Sequence, residues 1–297
     1  MTEQSKGKGI VAGVLAAIAF GMIPAFSIPP MQAGMAPVTV LFYRFFLASA
    51  MIAIIFAIQR KSLKISKGNV VRMIGTALFY CASSGFLIMG YKYMTAGVTG
   101  VIHFTYPIFV LLILFIFFRE RLQMVNVIAI AIAIAGIYCL GVLGADVAYV
   151  QGENTLLGFL IVLASGVGCA SYMVSVNKSK IRELPSLLVS FWLLFFSAIV
   201  FAIISIISGE MVLITEPKLI LNLSALALIA TVISNVLLVY SIKIIGSNHA
   251  AILGAIEPVT SVFVGVILFG DIINLPITIG ILLIFLSVGL CIAYTRK

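Results

Sequence analysis

The stretch SLLVSFWLLFFSAIVFAIISII, residues 186–207, contains no charged side chain and is almost wholly apolar. As an α-helix, a run of this length rises ~33 Å at ~1.5 Å per residue, which is enough to cross the hydrocarbon core of a bilayer. A helix satisfies its backbone hydrogen-bonding groups internally, as lipid requires, whereas an open strand leaves them unpaired. The stretch therefore predicts a transmembrane helix.

Nine further runs of similar length and composition predict the same structure. Hydrophobic residues make up 63% of the 297 residues, charged residues make up 9%, and the mean hydropathy is +1.28. A water-soluble domain is about half apolar and a quarter charged, so this composition excludes a single soluble domain. The ten predicted spans are 9–28, 37–58, 69–91, 96–118, 122–143, 156–177, 186–207, 219–242, 247–269 and 273–294.

The basic residues lie in the short gaps between these runs. If the N-terminus lies in the cytoplasm and every run crosses the membrane, cytoplasmic segments carry 15 of the 18 Lys and Arg residues. That bias is the positive-inside rule, and it predicts cytoplasmic N- and C-termini in a multi-pass protein of the cell membrane. A net charge of +9 divided in this way indicates a lipid bilayer as partner and no nucleic acid.

Lys6 and Lys8 precede the first run, and no clear small-residue cleavage site follows them. We therefore interpret residues 9–28 as a span, not as a signal peptide. The four cysteines all fall inside apolar runs, without metal-ligand or disulfide spacing, so we interpret them as buried apolar side chains. No Walker-type pattern is present, and we expect neither ATP hydrolysis nor a cofactor or metal ion.

The two halves of the chain match at a constant offset of 151 residues. The pairs are Ser83–Ser234, Ser84–Asn235, Lys92–Lys243, Pro107–Pro258 and Glu120–Asp271. Five spans in each half put the second half upside down relative to the first, which is typical of secondary transporters with a site between the halves. The predicted fold is an all-α membrane protein of ten helices in two inverted five-helix repeats, residues 1–150 and 151–297.

Three stretches carry a family resemblance. The first is Ala250 to Val259 (AAILGAIEPV), continuing to Phe269-Gly270-Asp271. The first half echoes it in Tyr106-Pro107-Ile108 and in Phe118-Arg119-Glu120-Arg121-Leu122, and Phe42-Tyr43-Arg44-Phe45 is similar to an arginine-bearing second helix. The chain resembles the drug/metabolite transporter superfamily, with two tandem EamA-like domains. The resemblance implies ten helices, a central cavity, and export or exchange of small metabolites such as amino acids.

Glu257 is the one acidic residue deep within a predicted span. A charged carboxylate there is costly, so it should face a cavity, be paired, or be protonated. Two roles stay open, since the group can couple transport to protons or bond backbone groups freed by Pro258. Ser261, four residues on, shares its face. His103, which titrates near neutral pH when unperturbed, is the second candidate for coupling.

The remaining candidates for a substrate cavity are polar side chains within spans. Tyr106 is the repeat mate of Glu257 and shares a face with His103. Helix-to-helix hydrogen bonding is the alternative role for most of them. We interpret Arg44 first as a structural group of the second helix, although it could attract a carboxylate. The other cavity candidates are Tyr80, Ser83, Ser84, Tyr172, Ser234 and Asn235, and the predicted hinges are Pro24, Pro107 and Pro258.

The leading hypothesis is a secondary transporter, exporting or exchanging a small metabolite such as an amino acid by alternating access. Efflux of lipophilic compounds and a non-transporting sensor or scaffold are the alternatives. An intramembrane enzyme would need a nucleophile or a metal cluster, and the histidines lie in separate spans without ligand spacing, so we predict no enzyme. The sequence leaves the oligomeric state open, since small-residue stripes serve contacts within and between chains alike.

Overall fold

The computed structural model describes residues 3–93, 96–120, 123–139, 155–264, 267–268 and 275–296, and within these ranges the secondary structure is helical. Residues 140–154, which include the end of the predicted span 122–143, and the repeat mate Asp271 lie outside the described residues. The α-helices are α1 Glu3–Gly21, α2 Ile23–Gln32, α3 Pro37–Ile58, α4 Lys67–Gly90, α5 Ala96–His103, α6 Tyr106–Phe118, α7 Met124–Tyr138, α8 Thr155–Lys178, α9 Ser186–Ile207, α10 Pro217–Ala227, α11 Ser234–Leu253, α12 Ile256–Val264 and α13 Leu275–Arg296. A 3₁₀ turn at Lys180–Glu183 follows α8, and a π-helical turn at Leu228–Ile233 joins α10 to α11.

In the described part of the chain, six helical segments are long and apolar enough to cross a membrane. They are Ser5–Gln32, Pro37–Ile58, Lys67–Gly90, Leu156–Lys178, Ser186–Ile207 and Pro217–Leu253. Three shorter apolar helices accompany them, at Tyr106–Phe118, Met124–Gly136 and Thr278–Leu290. Many large apolar side chains on these helices are exposed, for example Ile58, Phe117 and Ile207. Such a surface needs lipid around it, and the chain is a multi-pass membrane protein.

The helices pack in pairs that run across the two halves of the chain. α1 packs along α11, α4 along α8, α3 along α9, and α7 along α13. The largest buried apolar cluster lies between these pairs and includes Phe45, Met73, Tyr172 and Leu193. The two halves therefore share one core.

Glycines let several of these pairs approach closely. A Cβ added at Gly168 of α8 would lie 2.8 Å from the backbone nitrogen of Ser83 and 3.0 Å from the backbone oxygen of Phe79 in α4. On α1, a Cβ at Gly21 would lie 2.5 Å from Thr260 Cβ. Gly9 and Gly13 of α1 likewise lie against side chains of α11, as close packing between membrane helices requires.

Three of the apolar runs are interrupted near the middle of the fold. The first run breaks at Met22 between α1 and α2, the fourth at Phe104 and Thr105, and the ninth at Gly254 and Ala255. Prolines follow as the second or third residue of each new helix, at Pro24, Pro107 and Pro258. In a first turn the missing N–H group of proline is not needed, and each predicted hinge proline therefore lies directly after a break in its run.

We expect Gly168→Ala to destabilise the fold by ~1–3 kcal/mol, because the added methyl group meets backbone atoms that cannot rotate away. The measurement is the apparent melting temperature of the purified protein in detergent. Gly75→Ala on α4 is the matched control, since no atom lies within 4 Å of a Cβ built there. Alanine favours a helix over glycine by ~1 kcal/mol, so the control should melt at or above the wild-type temperature. Equal melting of the two variants would contradict the close approach of α4 and α8.

Candidate functional site

A central cavity of about 50 Å³ is lined by residues of α1 to α6, α8, α11 and α12. One water molecule needs ~10–15 Å³ by this kind of measure, so the cavity has room for a few waters. Seven of the ten predicted cavity residues line it, namely Tyr80, Ser83, Ser84, His103, Tyr106, Tyr172 and Glu257. Side chains from both halves of the chain therefore meet around one enclosed space.

The remaining three predicted residues lie nearby without lining this cavity. Ser261 lines a smaller adjoining cavity of about 20 Å³, which also contacts Glu257 and His103, and its hydroxyl donates to the backbone oxygen of Gly21 at 3.0 Å. Ser234 donates to the backbone oxygens of Ala230 and Thr231 in its own segment. Asn235 stands behind the cavity wall and contacts two of its tyrosines.

The cavity lies where the two interrupted runs cross. The break after His103 and the break before Glu257 occupy equivalent positions to within one residue, because Gly254 is the mate of His103 and Glu257 the mate of Tyr106 at offset 151. Tyr106 opens α6, and Glu257 lies in the first turn of α12. At both breaks the regular helix gives way to a turn, in which Thr105 N donates to the backbone oxygen of Ile102 and Ala255 N to that of Ile252. Irregular backbone of this kind is tolerated in a membrane where it is buried in protein or lines a cavity.

The side chain of Tyr106 rests directly on the second break. A Cβ built at Gly254 would lie 1.7 Å from the Tyr106 hydroxyl oxygen and 3.0 Å from Tyr106 Cζ. Only glycine leaves room for the hydroxyl group at this point. The two breaks are therefore in contact, one supplying an aromatic side chain and the other the space for it.

His103 is held by a short chain of hydrogen bonds. Its Nδ1 lies 2.8 Å from Ser165 Oγ, and the Ser165 hydroxyl donates to the backbone oxygen of Val162 at 2.5 Å. Since that hydroxyl proton is already engaged, Ser165 accepts from Nδ1, which places the proton of a neutral imidazole on Nδ1. Nε2 is then the ring nitrogen that can take up a further proton.

Asn235 of α11 links two tyrosines across the halves of the chain. Its Nδ2 donates to Tyr80 OH at 2.7 Å and to the backbone oxygen of Thr231 at 3.0 Å. Tyr172 OH donates to Asn235 Oδ1 at 3.4 Å, and the two tyrosine rings are 5.0 Å apart between centroids. The amide thus orients a pair of hydroxyl-bearing rings that form one wall of the cavity.

Arg44 also lines the cavity, although the sequence favours a structural role for it. The residue is 2% exposed. Its Nε donates to Thr231 Oγ1 at 2.7 Å and its Nη2 to the backbone oxygen of Ala230 at 3.3 Å. Both acceptors belong to the π-helical turn, where backbone oxygens lose their usual partners. These two bonds leave further N–H groups of the guanidinium for other partners.

Glu257 is the acidic residue on the cavity wall. Within the described residues the one ion pair joins Lys178 to Glu120, so Arg44 and Glu257 face the same space without a salt bridge between them. Glu257 lies in the first turn of α12, at the positive end of the helix dipole. The cavity thus offers a guanidinium and a carboxyl group that can each meet a polar group of a ligand.

Several lining residues carry no polar signal that sequence reasoning could use. Gly13, Gly254 and Cys169 line the cavity, although glycine and cysteine in apolar runs indicate packing. The repeat holds the one usable signal for Gly254, since it is the mate of His103 at offset 151. Phe20 and Leu87 contact both the central and the smaller cavity, and nothing in their local sequence distinguishes them from other apolar side chains.

Long apolar helices packed around a central cavity with a few polar side chains define a multi-pass helical membrane protein. A family model described as "EamA-like transporter family" matches residues 7–142 and again residues 156–293. The chain belongs to the EamA-like transporter family, as two tandem copies of its domain.

Curated relatives bear transporter names. The chain is 28% identical over 208 residues to an uncharacterized transporter of Synechocystis sp., covering 69% of this chain and 61% of that protein. It is 26% identical over 151 residues to one of Archaeoglobus fulgidus, half of each chain. The uncharacterized transporter YoaV of Bacillus subtilis is 24% identical over 247 residues, covering 81% of this chain and 82% of that protein. The matched regions thus span less than two thirds of the first two relatives.

A protein known from its crystal structure shares the fold. It superposes with a TM-score of 0.79, covers 98% of each chain, and is 19% identical in sequence. At that identity the likeness concerns the helical architecture alone.

We expect Gly254→Ala to reduce the thermal stability of the purified protein, because the new methyl group would overlap the Tyr106 hydroxyl. Overpacking of this kind costs ~1–3 kcal/mol. Tyr106→Phe removes the hydroxyl, so the double variant should melt above Gly254→Ala alone. Gly100→Ala is the control, since a Cβ there has no atom within 4 Å. If Tyr106→Phe gives no recovery in the Gly254→Ala background, the contact between the two breaks is refuted.

Proposed function

We propose that this chain is a secondary transporter of a small zwitterionic metabolite such as an amino acid, which it exports or exchanges across the cell membrane. The observation that carries the proposal is the pairing of Arg44 and Glu257 on one cavity without a salt bridge between them. A guanidinium binds a carboxylate, and a carboxylate binds an ammonium group. An amino acid carries both groups on one carbon.

Hydroxyl and aromatic groups complete such a site. Tyr80, Tyr172 and Tyr106 offer hydroxyl groups and ring faces, and Ser83 and Ser84 offer small hydroxyls. Ligand sites typically combine an apolar wall with a few oriented polar groups. The hydrogen bonds of Asn235 to both Tyr80 and Tyr172 restrict their rotation, which lowers the entropy cost of binding.

We further propose ten spans in two inverted five-helix repeats, residues 1–150 and 151–297, with both termini cytoplasmic. The matching of the breaks at offset 151 supports this arrangement. The packing of α1 along α11 and of α8 along α4 supports it as well, because the first helix of each half then lies on the third helix of the other. Inverted repeats allow two conformations of similar energy that expose one site to opposite sides.

Alternating access is proposed as the mechanism. A cavity of about 50 Å³ is smaller than an amino acid, so the helices around it must separate for binding and release. The breaks at Met22, at Phe104 and Thr105, and at Gly254 and Ala255 are the points where backbone dihedral angles can change without breaking a continuous helix. Short apolar half-helices would move as units about them.

Glu257 and His103 are proposed as the groups that couple transport to protons. Both contact the central cavity and the smaller one beside it. A titratable group between two cavities can receive a proton from one cavity and deliver it to the other. The tautomer that Ser165 imposes on His103 leaves Nε2 available for this purpose.

Efflux of lipophilic compounds is the second candidate function, and one observation favours it. A groove of about 350 Å³ lies between α3 and α9, on the side of the bundle. Its walls are two stacked pairs of rings, Phe42 with Phe46 and Phe191 with Phe195. Such a groove would suit an apolar molecule arriving from the lipid.

We expect proteoliposomes containing the purified protein to take up one class of labelled amino acid saturably from a pool of L-amino acids. An inward proton gradient should change the rate of uptake in the wild type. In Glu257→Gln the response to the gradient should disappear, because an amide neither binds nor releases a proton near neutral pH.

Glu216→Gln, an acid outside the cavity, is the matched control and should keep the wild-type response. An unchanged gradient response in Glu257→Gln would remove the coupling role from this residue. No uptake of any amino acid by correctly folded protein would overturn the proposed substrate class and favour lipophilic compounds or a sensor.

We expect Lys92→Cys, made in a background without Cys81, Cys139, Cys169 and Cys291, to react with a membrane-impermeant maleimide added outside intact cells. Lys92 is exposed at the turn after α4, on the predicted outer side. Lys180→Cys lies on the predicted cytoplasmic side and should react only after the cells are opened. Reaction of Lys92→Cys from the cytoplasmic side alone would invert the proposed topology.

A further inference from the structure

A second cavity of about 340 Å³ lies at the end of the bundle that carries Lys178 and Arg182. We call it the vestibule. It is larger than the central cavity and falls within the ~300–1,000 Å³ typical of small-molecule pockets. It opens between the end of α6, the start of α7, the end of α8 and the middle of α11. The polar residues that matter for its chemistry are Glu120, Asn126, Lys178, Arg182 and Asn248.

Two amide oxygens in the vestibule have no hydrogen-bond partner in the described structure. Asn126 is 1% exposed, and its Nδ2 donates to Gln123 Oε1 at 3.2 Å while its Oδ1 is buried and unpartnered. Asn248 Oδ1 is likewise buried without a partner. Buried acceptors of this kind are rare in folded proteins, because an unmade hydrogen bond is costly. A ligand with hydrogen-bond donors, such as an ammonium group, would satisfy both oxygens.

The vestibule also carries an excess of positive charge among the described side chains. Glu120 forms an ion pair with Lys178, which lies 5.5 Å from the centre of the Phe118 ring. Arg182 has no acidic partner in the described residues, and its Nη2 donates to the backbone oxygen of Lys243 at 2.8 Å. The remaining guanidinium N–H groups can bind a carboxylate.

The shape of the vestibule depends on a bend in α11. Gly246 has φ +84° and ψ 162°, a backbone conformation that residues other than glycine rarely adopt. The bend turns Ser247 and Asn248 toward α8, where Asn177 Nδ2 donates to Ser247 Oγ at 3.1 Å. The polar groups are therefore held in place by backbone geometry and by a bond between two helices.

We infer that the vestibule is a separate binding site for a small zwitterion, with the carboxylate on Arg182 and the ammonium group on the amide oxygens of Asn126 and Asn248. The inference rests on the proposed function for its place in transport, where the vestibule loads cytoplasmic substrate before the central cavity opens. Neutral amide oxygens and a single cation select against molecules that bear only one of the two charges.

The test is thermal stabilisation of the full chain in detergent by three pools of matched compounds. The pools are L-amino acids, the amines formed by their decarboxylation, and the carboxylic acids that lack the amino group. All measurements use the Glu257→Gln background, which weakens binding in the central cavity. We expect the amino acid pool to raise the apparent melting temperature at concentrations about tenfold below either single-charge pool.

Variants then assign the binding to the vestibule. Asn126→Leu and Asn248→Leu should each raise the half-stabilising concentration of the amino acid pool about tenfold, as the loss of one charge-assisted hydrogen bond would. Arg182→Gln should do the same while still donating to the Lys243 oxygen. The matched controls are Asn222→Leu on α10 and Lys180→Gln, neither of which lines the vestibule, and both should leave the concentration unchanged.

Three results would overturn the inference: no stabilisation by the amino acid pool, equal stabilisation by a single-charge pool, or vestibule variants that bind like the controls. Asn126→Leu and Asn248→Leu are independent, so one misfolded variant leaves the other to decide. The same experiments test the proposal of transport independently of the vestibule site. Wild-type proteoliposomes without uptake but with intact vestibule binding contradict transport alone, whereas normal uptake with unchanged binding in the variants contradicts the vestibule site alone.

Discussion

A broken helix inside a bilayer is the constraint on which the rest of this structure depends. Each break replaces regular helix with a turn, and irregular backbone at membrane depth must lie against protein or line a cavity. The chain places two such breaks at equivalent positions in its halves and brings them together. The Tyr106 hydroxyl rests on Gly254, and the polar cavity surrounds that contact. Close packing by Gly21 and Gly168 holds the neighbouring helices near enough to enclose it.

The polar groups follow from the same constraint. The π-helical turn frees backbone oxygens, and Arg44 supplies donors to one of them while presenting its charge to the cavity. Asn235 bonds Thr231 of that turn and positions Tyr80 and Tyr172. Arg44 therefore satisfies the irregular backbone and faces the cavity at the same time, whereas Asn235 acts on the cavity through the two tyrosines that it orients.

Sequence predicts the helical membrane fold well, because apolar length and the positions of charged residues are properties of the chain itself. The run at 186–207 is helix α9 with the same bounds, and 37–58 is α3. The repeat at offset 151 also singles out Ser83, Ser84, Tyr106 and Glu257, four of the residues that line the cavity. The sequence does not show which polar side chain contacts another helix. The Ser234 hydroxyl donates to a backbone oxygen of its own segment, while the side chain of its neighbour Asn235 bonds Tyr80 of α4. It also gives no sign of the vestibule, whose residues come from four helices and become neighbours only when Gly246 bends α11.

The small volume of the central cavity limits what can pass through the middle of the bundle. With about 50 Å³ between its walls, the cavity has room for a few water molecules but not for an ion with its full hydration shell. An ion would have to lose most of its hydration to enter, and that loss is costly in a low-dielectric interior. Close packing of the helices around polar side chains would therefore make this centre a barrier to ions, although it carries charged and hydroxyl groups.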